Sequence, residues 1–424
     1  MMESIKMQKP TTYANWPGCL FWMFFALFIL PIYLRGPFLR YSFGIEVANI
    51  NLIMVVITVY LLAMKRDYTK EEIILCIIWL LLLIPLVLSS KHLYLSLILS
   101  ETFQCWMPVF LIIQRIDNRQ RKRLLQISLY VFDVFIVILL AIAAYERFAG
   151  VSLVEAVYNA LTARGYRAAA FSSFVSAAEF RSRFFSLWGH PLTNAVLFNS
   201  FFILNDIYHR NIEKKYPKII YFLIALFGVA LCASKTGLVV ICLCLVISNW
   251  ENKKWLLVYA AGIAVLFFSG IFNDLLQRFT STPLTTGRFT ALVQYFKNGD
   301  YPLRPFVGYG SGTAYNKTLF PLKPGFEFPL MMYALDNGIL FSIVYIGSIF
   351  IYYTRQILGR GQIKNWLCVS LLFAQINTYN GMSLRNQDVG WMVGVILMFA
   401  INASLLAKPR DISWLPGWLK PQNR

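Results

Sequence analysis

The sequence has little charge for its length, and this scarcity excludes an ordinary soluble protein. Only 14% of the 424 residues are charged, whereas 58% are hydrophobic. Soluble domains carry about a quarter charged residues. The apolar residues recur in blocks close to the roughly 20 residues that cross a bilayer as a helix. The composition therefore predicts a polytopic membrane protein in which residues 1–424 form one integral membrane domain.

Metal-binding and disulfide patterns are also missing from the chain. The three histidines and seven cysteines show no metal-ligand spacing, and the cysteines lie in or beside apolar blocks. The acids on the predicted outer side include no Asp-x-Asp pair of the kind that holds a metal–nucleotide. The sequence therefore predicts neither a metal site nor a cofactor, and it disfavours a metal-dependent sugar-nucleotide enzyme.

The net charge of +19 does not indicate nucleic-acid binding, because the cations are divided among many short loops rather than gathered on one face. These loops separate twelve apolar stretches that we predict to be transmembrane helices. The stretches are residues 16–33, 46–64, 73–90, 93–113, 124–145, 190–208, 219–233, 237–250, 255–272, 330–354, 365–381 and 389–406. More than half of the Lys and Arg residues fall on one side of this arrangement. The positive-inside rule then places both termini in the cytoplasm.

Two connections on the predicted outer side, 146–189 and 273–329, are too long to be simple links between helices. Residues 152–163 and 287–296 read as short helices within them, and a glycine-rich stretch follows at 306–313. The cations of these loops outnumber the acids, and most of the cations are arginine, whose planar fork suits phosphate. The pattern predicts a site for a lipid-borne or polymeric anion; contact with anionic lipid headgroups is the alternative.

The stretch "RSRFFSLWGHPLTNA" (181–195) joins the first loop to the sixth predicted span. Pro191 is predicted to begin that helix, because proline is favoured in a first turn. The helix would then direct its positive end toward Arg181 and Arg183. His190 beside it is either a proton acceptor or hydrogen-bond donor, or a residue that caps the helix.

Lys235 lies in a turn between two apolar blocks that are short for a membrane span. Fifteen helical residues reach about 22 Å, which is less than the roughly 30 Å of the hydrocarbon core. We therefore predict that the turn is recessed and that Lys235 is functional. Snorkelling of its side chain to the headgroups is the alternative interpretation.

Four stretches, in order, resemble the O-antigen polymerase and O-antigen ligase superfamily of bacterial polysaccharide assembly. They are "RFFSLWGHPLTNA" (183–195), "ASKTGLVV" (233–240), the pair "GRFTALVQYF" and "PLRPFVGYGSG" (287–312), and "EFPLMMYALDNGIL" (327–340). The resemblance implies an all-α, lipid-linked (GT-C-like) glycosyltransferase of the bacterial inner membrane. It also implies that undecaprenyl-diphosphate-linked glycans are the substrates, with a flippase and a chain-length regulator as partners.

Ligases of this family typically carry a His-Asn pair about eleven residues before the glycine that matches Gly338. Glu327 and Phe328 stand there instead. This departure favours a polymerase that makes O-antigen (part of lipopolysaccharide), capsule or exopolysaccharide over a ligase that transfers glycan to a lipid core. A lipid-linked glycan transporter or flippase is the rival from another class. Transporters usually show internal repeats and broken helices, and the sequence pattern indicates neither feature.

The resemblance and the charge pattern together give a hypothesis for the site. Glu327 and His190 are the predicted catalytic residues that accept the proton of the acceptor hydroxyl. The predicted diphosphate ligands are Arg181, Arg183, Lys235 and Arg288, and the predicted loop supports are Gly308, Gly310, Gly312 and Pro191. Because cations of the protein would stabilise the leaving diphosphate, no metal is required.

Overall fold

The computed structural model describes residues 14–36, 50–89, 95–163, 183–212, 217–251, 288–298, 301–310, 312–315, 328–383 and 388–407, with a few isolated positions elsewhere. Within these ranges the protein is mostly helical and contains no strand, apart from one isolated bridge between Ser186 and Gly189. The prediction of an all-α protein is confirmed to this extent.

The described residues form fifteen α-helices, and most of these helices match a predicted apolar stretch. They are α1 (Trp16–Phe24), α2 (Leu52–Met64), α3 (Lys70–Leu81), α4 (Leu83–Leu88), α5 (Leu95–Glu101), α6 (Asn118–Ala149), α7 (Leu153–Ala163), α8 (Pro191–Ile212), α9 (Lys218–Leu231), α10 (Lys235–Asn249), α11 (Arg288–Asn298), α12 (Pro329–Asn337), α13 (Ile339–Leu358), α14 (Ile363–Asn377) and α15 (Val389–Ser404). The predicted span 255–272 lies largely outside the described residues.

Two helices, α8 and α15, form the centre of the bundle and are buried along nearly their whole length. The polar side chains that α8 carries inward find partners on neighbouring helices. Asn199 donates to Gln375 Oε1 on α14 at 2.7 Å, and Asn205 donates to Asp133 Oδ1 on α6 at 2.7 Å. These bonds satisfy groups that would otherwise be costly to bury, so they fix which helices pack against α8.

The outer helices instead expose apolar side chains on one face. Ile73, Ile77, Leu80 and Ile84 are each about half exposed and recur along one face of α3 and α4. Two segments are long enough and apolar enough to cross a membrane. They are Lys70–Leu88, which comprises α3 and α4, and Asn118–Ala149, which is α6. Shorter apolar helices include α2, α9, α10 and α15.

The prediction of one continuous helix over 330–354 is wrong, because the chain is interrupted at Gly338. Helix α12 ends at Asn337 and α13 begins at Ile339, with Gly338 at a φ of 103° that favours glycine. A Cβ there would lie 2.8 Å from the carbonyl carbon of Phe306. The stretch 93–113 also changes form, from α5 to a π-helical turn over Thr102–Trp106 and a 3₁₀ turn over Met107–Leu111.

Candidate functional site

Residues 183–190 form a compact turn that is held by the first turn of α8. The backbones of Ser186 and Gly189 exchange hydrogen bonds of 3.1 and 3.0 Å. The fully buried Asn194 donates to Phe184 O at 3.0 Å and accepts from Ser186 Oγ at 2.7 Å. Asn194 therefore fixes the approach to the helix, a role that the sequence reading did not assign to it.

Arg183 lies where this turn meets the end of α9. Its Nε donates to Cys232 O at 3.2 Å, and the next residue, Phe184, donates its backbone N–H to Leu231 O at 3.1 Å. Carbonyls at the C-terminal end of a helix carry partial negative charge, so they attract a guanidinium. Only 7% of Arg183 is exposed. The arginine is thus positioned by the backbone of the turn that leads to Lys235.

The turn between α9 and α10, which the sequence predicts to be recessed, is buried inside the protein. Cys232, Ala233 and Ser234 are almost fully inaccessible, and Lys235 is 6% exposed. Ser234 caps α10, because its hydroxyl accepts from Gly237 N at 3.1 Å. Two of the predicted diphosphate ligands, Arg183 and Lys235, therefore belong to one packed unit at the same end of the bundle.

A cavity of about 360 Å³ opens beside this unit. Arg183 and Leu231 line one side, and the end of α6 with the start of α7 lines the other. The described lining also includes the charged residues Glu146, Arg147 and Glu155. Lys235 is not among the described residues of the lining; it follows the turn whose Cys232 carbonyl binds Arg183. The cavity therefore combines guanidinium groups with carboxylates.

Glu146 is held in place by the start of α7. After α6, the chain turns through Gly150 at a φ of 67°, and Leu153 N donates to Glu146 Oε1 at 2.7 Å. One carboxylate oxygen is thereby fixed by a helix N-terminus. The sequence analysis assigns no role to Glu146, since nothing in its local spacing indicates that it shares a cavity with Arg183.

Pro191 begins α8 as predicted, and His190 immediately precedes the helix. The His190 Nδ1 accepts a hydrogen bond from Leu192 N at 3.2 Å, which is a helix-capping contact. Its ring meets the edge of Phe185, with centroids 5.2 Å apart, and Phe185 in turn lines the cavity. His190 is therefore in contact with a residue of the cavity lining without being among the described lining residues, and its hydrogen bond to Leu192 matches the capping interpretation.

The predicted loop supports Gly308, Gly310 and Gly312 wrap around the end of α12. Gly312 N and Ala314 N donate to the two carboxylate oxygens of Asp336, both at 2.9 Å. Gly308 N donates to Ser89 Oγ at 2.9 Å. The buried Asp336 thus organises this loop, a role that the sequence analysis does not assign to it.

Tyr295 on α11 packs beside this loop and donates its hydroxyl to Tyr301 O. Burial is the larger cause and the neighbouring Tyr309 the smaller cause that together raise the pKa of Tyr295 to about 12. The phenol therefore stays protonated at neutral pH and serves as a donor that fixes the loop.

Several predicted site residues lie outside the described residues: Arg181, Glu327 and the side chain of Arg288. The helix predicted around 287–296 is present as α11, which begins at Arg288. Among the described residues, no group of three or more His, Cys, Asp or Glu side chains is arranged to hold a metal ion.

Comparison with protein-family models, with curated proteins and with solved structures finds no significant match to this chain.

Proposed function

We propose that the chain is an integral membrane polymerase that joins oligosaccharide repeat units carried on undecaprenyl diphosphate at the outer face of the bacterial inner membrane. The observation that carries the proposal is the cavity of about 360 Å³ with Arg183 in its lining, where Arg183 also binds the carbonyl of Cys232 in the buried turn that leads to Lys235. Buried or half-buried cations at helix ends favour a multiply charged anion such as a diphosphate.

The exposed apolar faces support the membrane location. Along α6, the large side chains Ile127, Val131, Val134 and Ile138 are between 43% and 52% exposed. Such a continuous apolar surface is unfavourable in water but matches the hydrocarbon interior of a bilayer. We propose about twelve transmembrane helices, with the GT-C-like architecture that the family resemblance implies.

Ion pairs lie at both ends of the bundle, so the proposed orientation rests on the unequal distribution of Lys and Arg between the loops. Acids at the end of the bundle proposed to be cytoplasmic are bound by cations: Glu72 by Lys65 at 3.1 Å, Glu71 by Arg355 at 3.1 Å, and Asp206 by Lys218 at 3.1 Å. The cavity lies at the opposite end, where α6 finishes and α8 begins. An outward cavity would meet lipid-linked sugars after they have crossed the membrane.

The chemistry follows from this arrangement. A sugar hydroxyl of one lipid-linked repeat attacks the anomeric carbon of another, a glycosidic bond forms, and the bond to the diphosphate breaks. Arg183 and Lys235, with Arg181 and Arg288 as further proposed ligands, stabilise the negative charge that develops on the leaving lipid diphosphate. The hydroxyl proton passes to a carboxylate or imidazole. Glu327 and His190 remain candidates for this acceptor, and Glu146 joins them because it lies in the same cavity as Arg183.

The test is polymerisation by the purified protein supplied with lipid-linked repeat units and no other protein. We expect Arg183→Ala to lower the rate by about a hundredfold, the size of effect found when a charge-stabilising donor is removed. Arg119→Ala is the matched control, because Arg119 is an exposed arginine of α6 at the proposed cytoplasmic end. An unchanged rate in Arg183→Ala, with the protein folded, would show that the site is wrong. An inactive wild-type protein under these conditions would contradict the function itself.

The interruption at Gly338 favours a second candidate, a transporter of lipid-linked glycans, because broken helices often form transport sites. One sequence argument against a transporter was that the sequence shows no broken helices. The break between α12 and α13 removes that argument. Reconstituted vesicles separate the two functions. Movement of lipid-linked repeats across the bilayer without any increase in glycan length would support the transporter.

A further inference from the structure

Glu101 is a buried carboxylate without a charged partner in the described structure. It is 4% exposed and lies at the end of α5, where the chain changes to the π-helical turn. Its single described hydrogen bond joins Oε1 to Asn337 Nδ2 at 2.7 Å, and Oε2 has no hydrogen-bond partner. An isolated carboxylate in such surroundings is strongly unfavourable unless a positive charge accompanies it.

Asn337 presents a second orphaned oxygen at the same place. It is fully buried at the end of α12, directly before the interruption at Gly338, and its Oδ1 also lacks a hydrogen-bond partner. A helix that changes to π-helical geometry and a helix that is interrupted therefore meet through one amide–carboxylate bond, and each leaves one acceptor oxygen without a hydrogen-bond partner. The C-terminal end of α12 adds partial negative charge, which further favours a cation.

The neighbouring donors are already engaged elsewhere. Tyr333 and Tyr345 lie near enough to Glu101 to interact with its charge. Their hydroxyls donate to Met382 O at 2.6 Å and to Cys105 O at 2.5 Å. The arginine of the adjacent network, Arg35, is bound in two places by Asp388, at 2.8 and 3.0 Å. Neither these phenols nor this arginine balances the negative charge of the Glu101 carboxylate.

We propose that Glu101 and Asn337 form a binding site for a small monovalent metal cation, with Na⁺ as the ion to be tested. One carboxylate balances one positive charge, and carboxylate and amide oxygens are hard ligands suited to such an ion. Interrupted helices provide cation sites of this kind in membrane proteins. The site lies under the Gly308–Gly312 loop, since Asp336 and Asn337 are consecutive. It is separate from the cavity at Arg183 and does not rest on the proposed polymerase activity.

The experiment measures ²²Na⁺ binding to the purified full chain in lipid nanodiscs, with choline chloride holding the ionic strength constant. We expect saturable binding that unlabelled Na⁺ displaces, and at least tenfold weaker binding in Glu101→Gln. Glu251→Gln is the matched control, because it removes the same formal charge from a side chain that is 74% exposed. Its binding should equal that of the wild type.

A second measurement keeps the proposal testable where Glu101→Gln fails to fold. Na⁺ should raise the melting temperature of the wild type relative to choline, and Asn337→Ala should lose most of that shift. The proposal is overturned if the wild type binds no more ²²Na⁺ than Glu101→Gln and shows no Na⁺-dependent shift. In that event a proton or a water molecule satisfies the Glu101 carboxyl.

Discussion

Gly308→Ala is the substitution whose effect on the second loop follows most directly from the structure. A Cβ at this position would lie 2.3 Å from the carbonyl carbon and oxygen of Asp336 and 2.5 Å from Asn337 N. Ordinary contacts begin at 3.4 Å, so the methyl group is about 1 Å too close to backbone atoms. Backbone at a helix end cannot rotate away as a flexible side chain can.

The loop must therefore move off the end of α12, and this displacement has a definite cost. Overpacking of a well-packed site costs about 1–3 kcal/mol. Movement of the loop also strains the bond from Gly308 N to Ser89 Oγ and the two bonds that Asp336 accepts. Loss of one buried hydrogen bond adds about 1 kcal/mol. We expect a total destabilisation of about 2–4 kcal/mol, near the sum of these terms.

The assay is thermal unfolding of the purified protein, with polymer formation measured in parallel. Gly347→Ala is the matched control, because a Cβ at Gly347 on α13 meets nothing within 4 Å. Alanine there should leave stability unchanged or raise it by up to about 1 kcal/mol, since glycine is a poor helix former. Equal melting temperatures for the two variants would refute the close approach of the loop to α12.

Two further predictions concern charge and topology. Asp388→Asn removes the carboxylate that the buried Arg35 guanidinium binds and should destabilise the protein by about 3–5 kcal/mol. Glu71→Gln breaks a more exposed pair with Arg355 and should cost no more than about 1 kcal/mol; similar melting temperatures for these two variants would contradict the burial of the Asp388 pair. A reporter fused after Arg424 should be active only in the cytoplasm, and activity only outside would reverse the proposed orientation.

Much of the helical architecture could be predicted from the sequence, because long apolar blocks leave few alternatives to a helix. The blocks at 124–145, 190–208 and 389–406 correspond to α6, α8 and α15. The helix start at Pro191 was also predictable, because proline is tolerated in a first turn. The turn at Lys235, which the limited reach of its short helices predicts to be recessed, is buried in the protein.

The interruption at Gly338 depended on tertiary structure. The apolar pattern continues across it, and only the backbone of Phe306, which approaches from another segment, requires a residue without a side chain there. The same holds for Asp336, whose carboxylate binds loop amides more than twenty residues earlier in the chain. Periodicity describes one helix at a time and contains no information about such approaches.

The sequence by itself determined the mostly helical character of the described residues, the charge asymmetry between the loops and the set of basic residues from which we propose that an anion site is built. Only the tertiary structure decided that Arg183 binds the end of α9 beside the Lys235 turn, that Glu146 shares its cavity, and that Glu101 meets Asn337. The spacing of hydrophobic residues is a local property, and a helix with such spacing can be buried against any apolar surface. Partners for buried polar groups are specific, and they depend on which helices pack together.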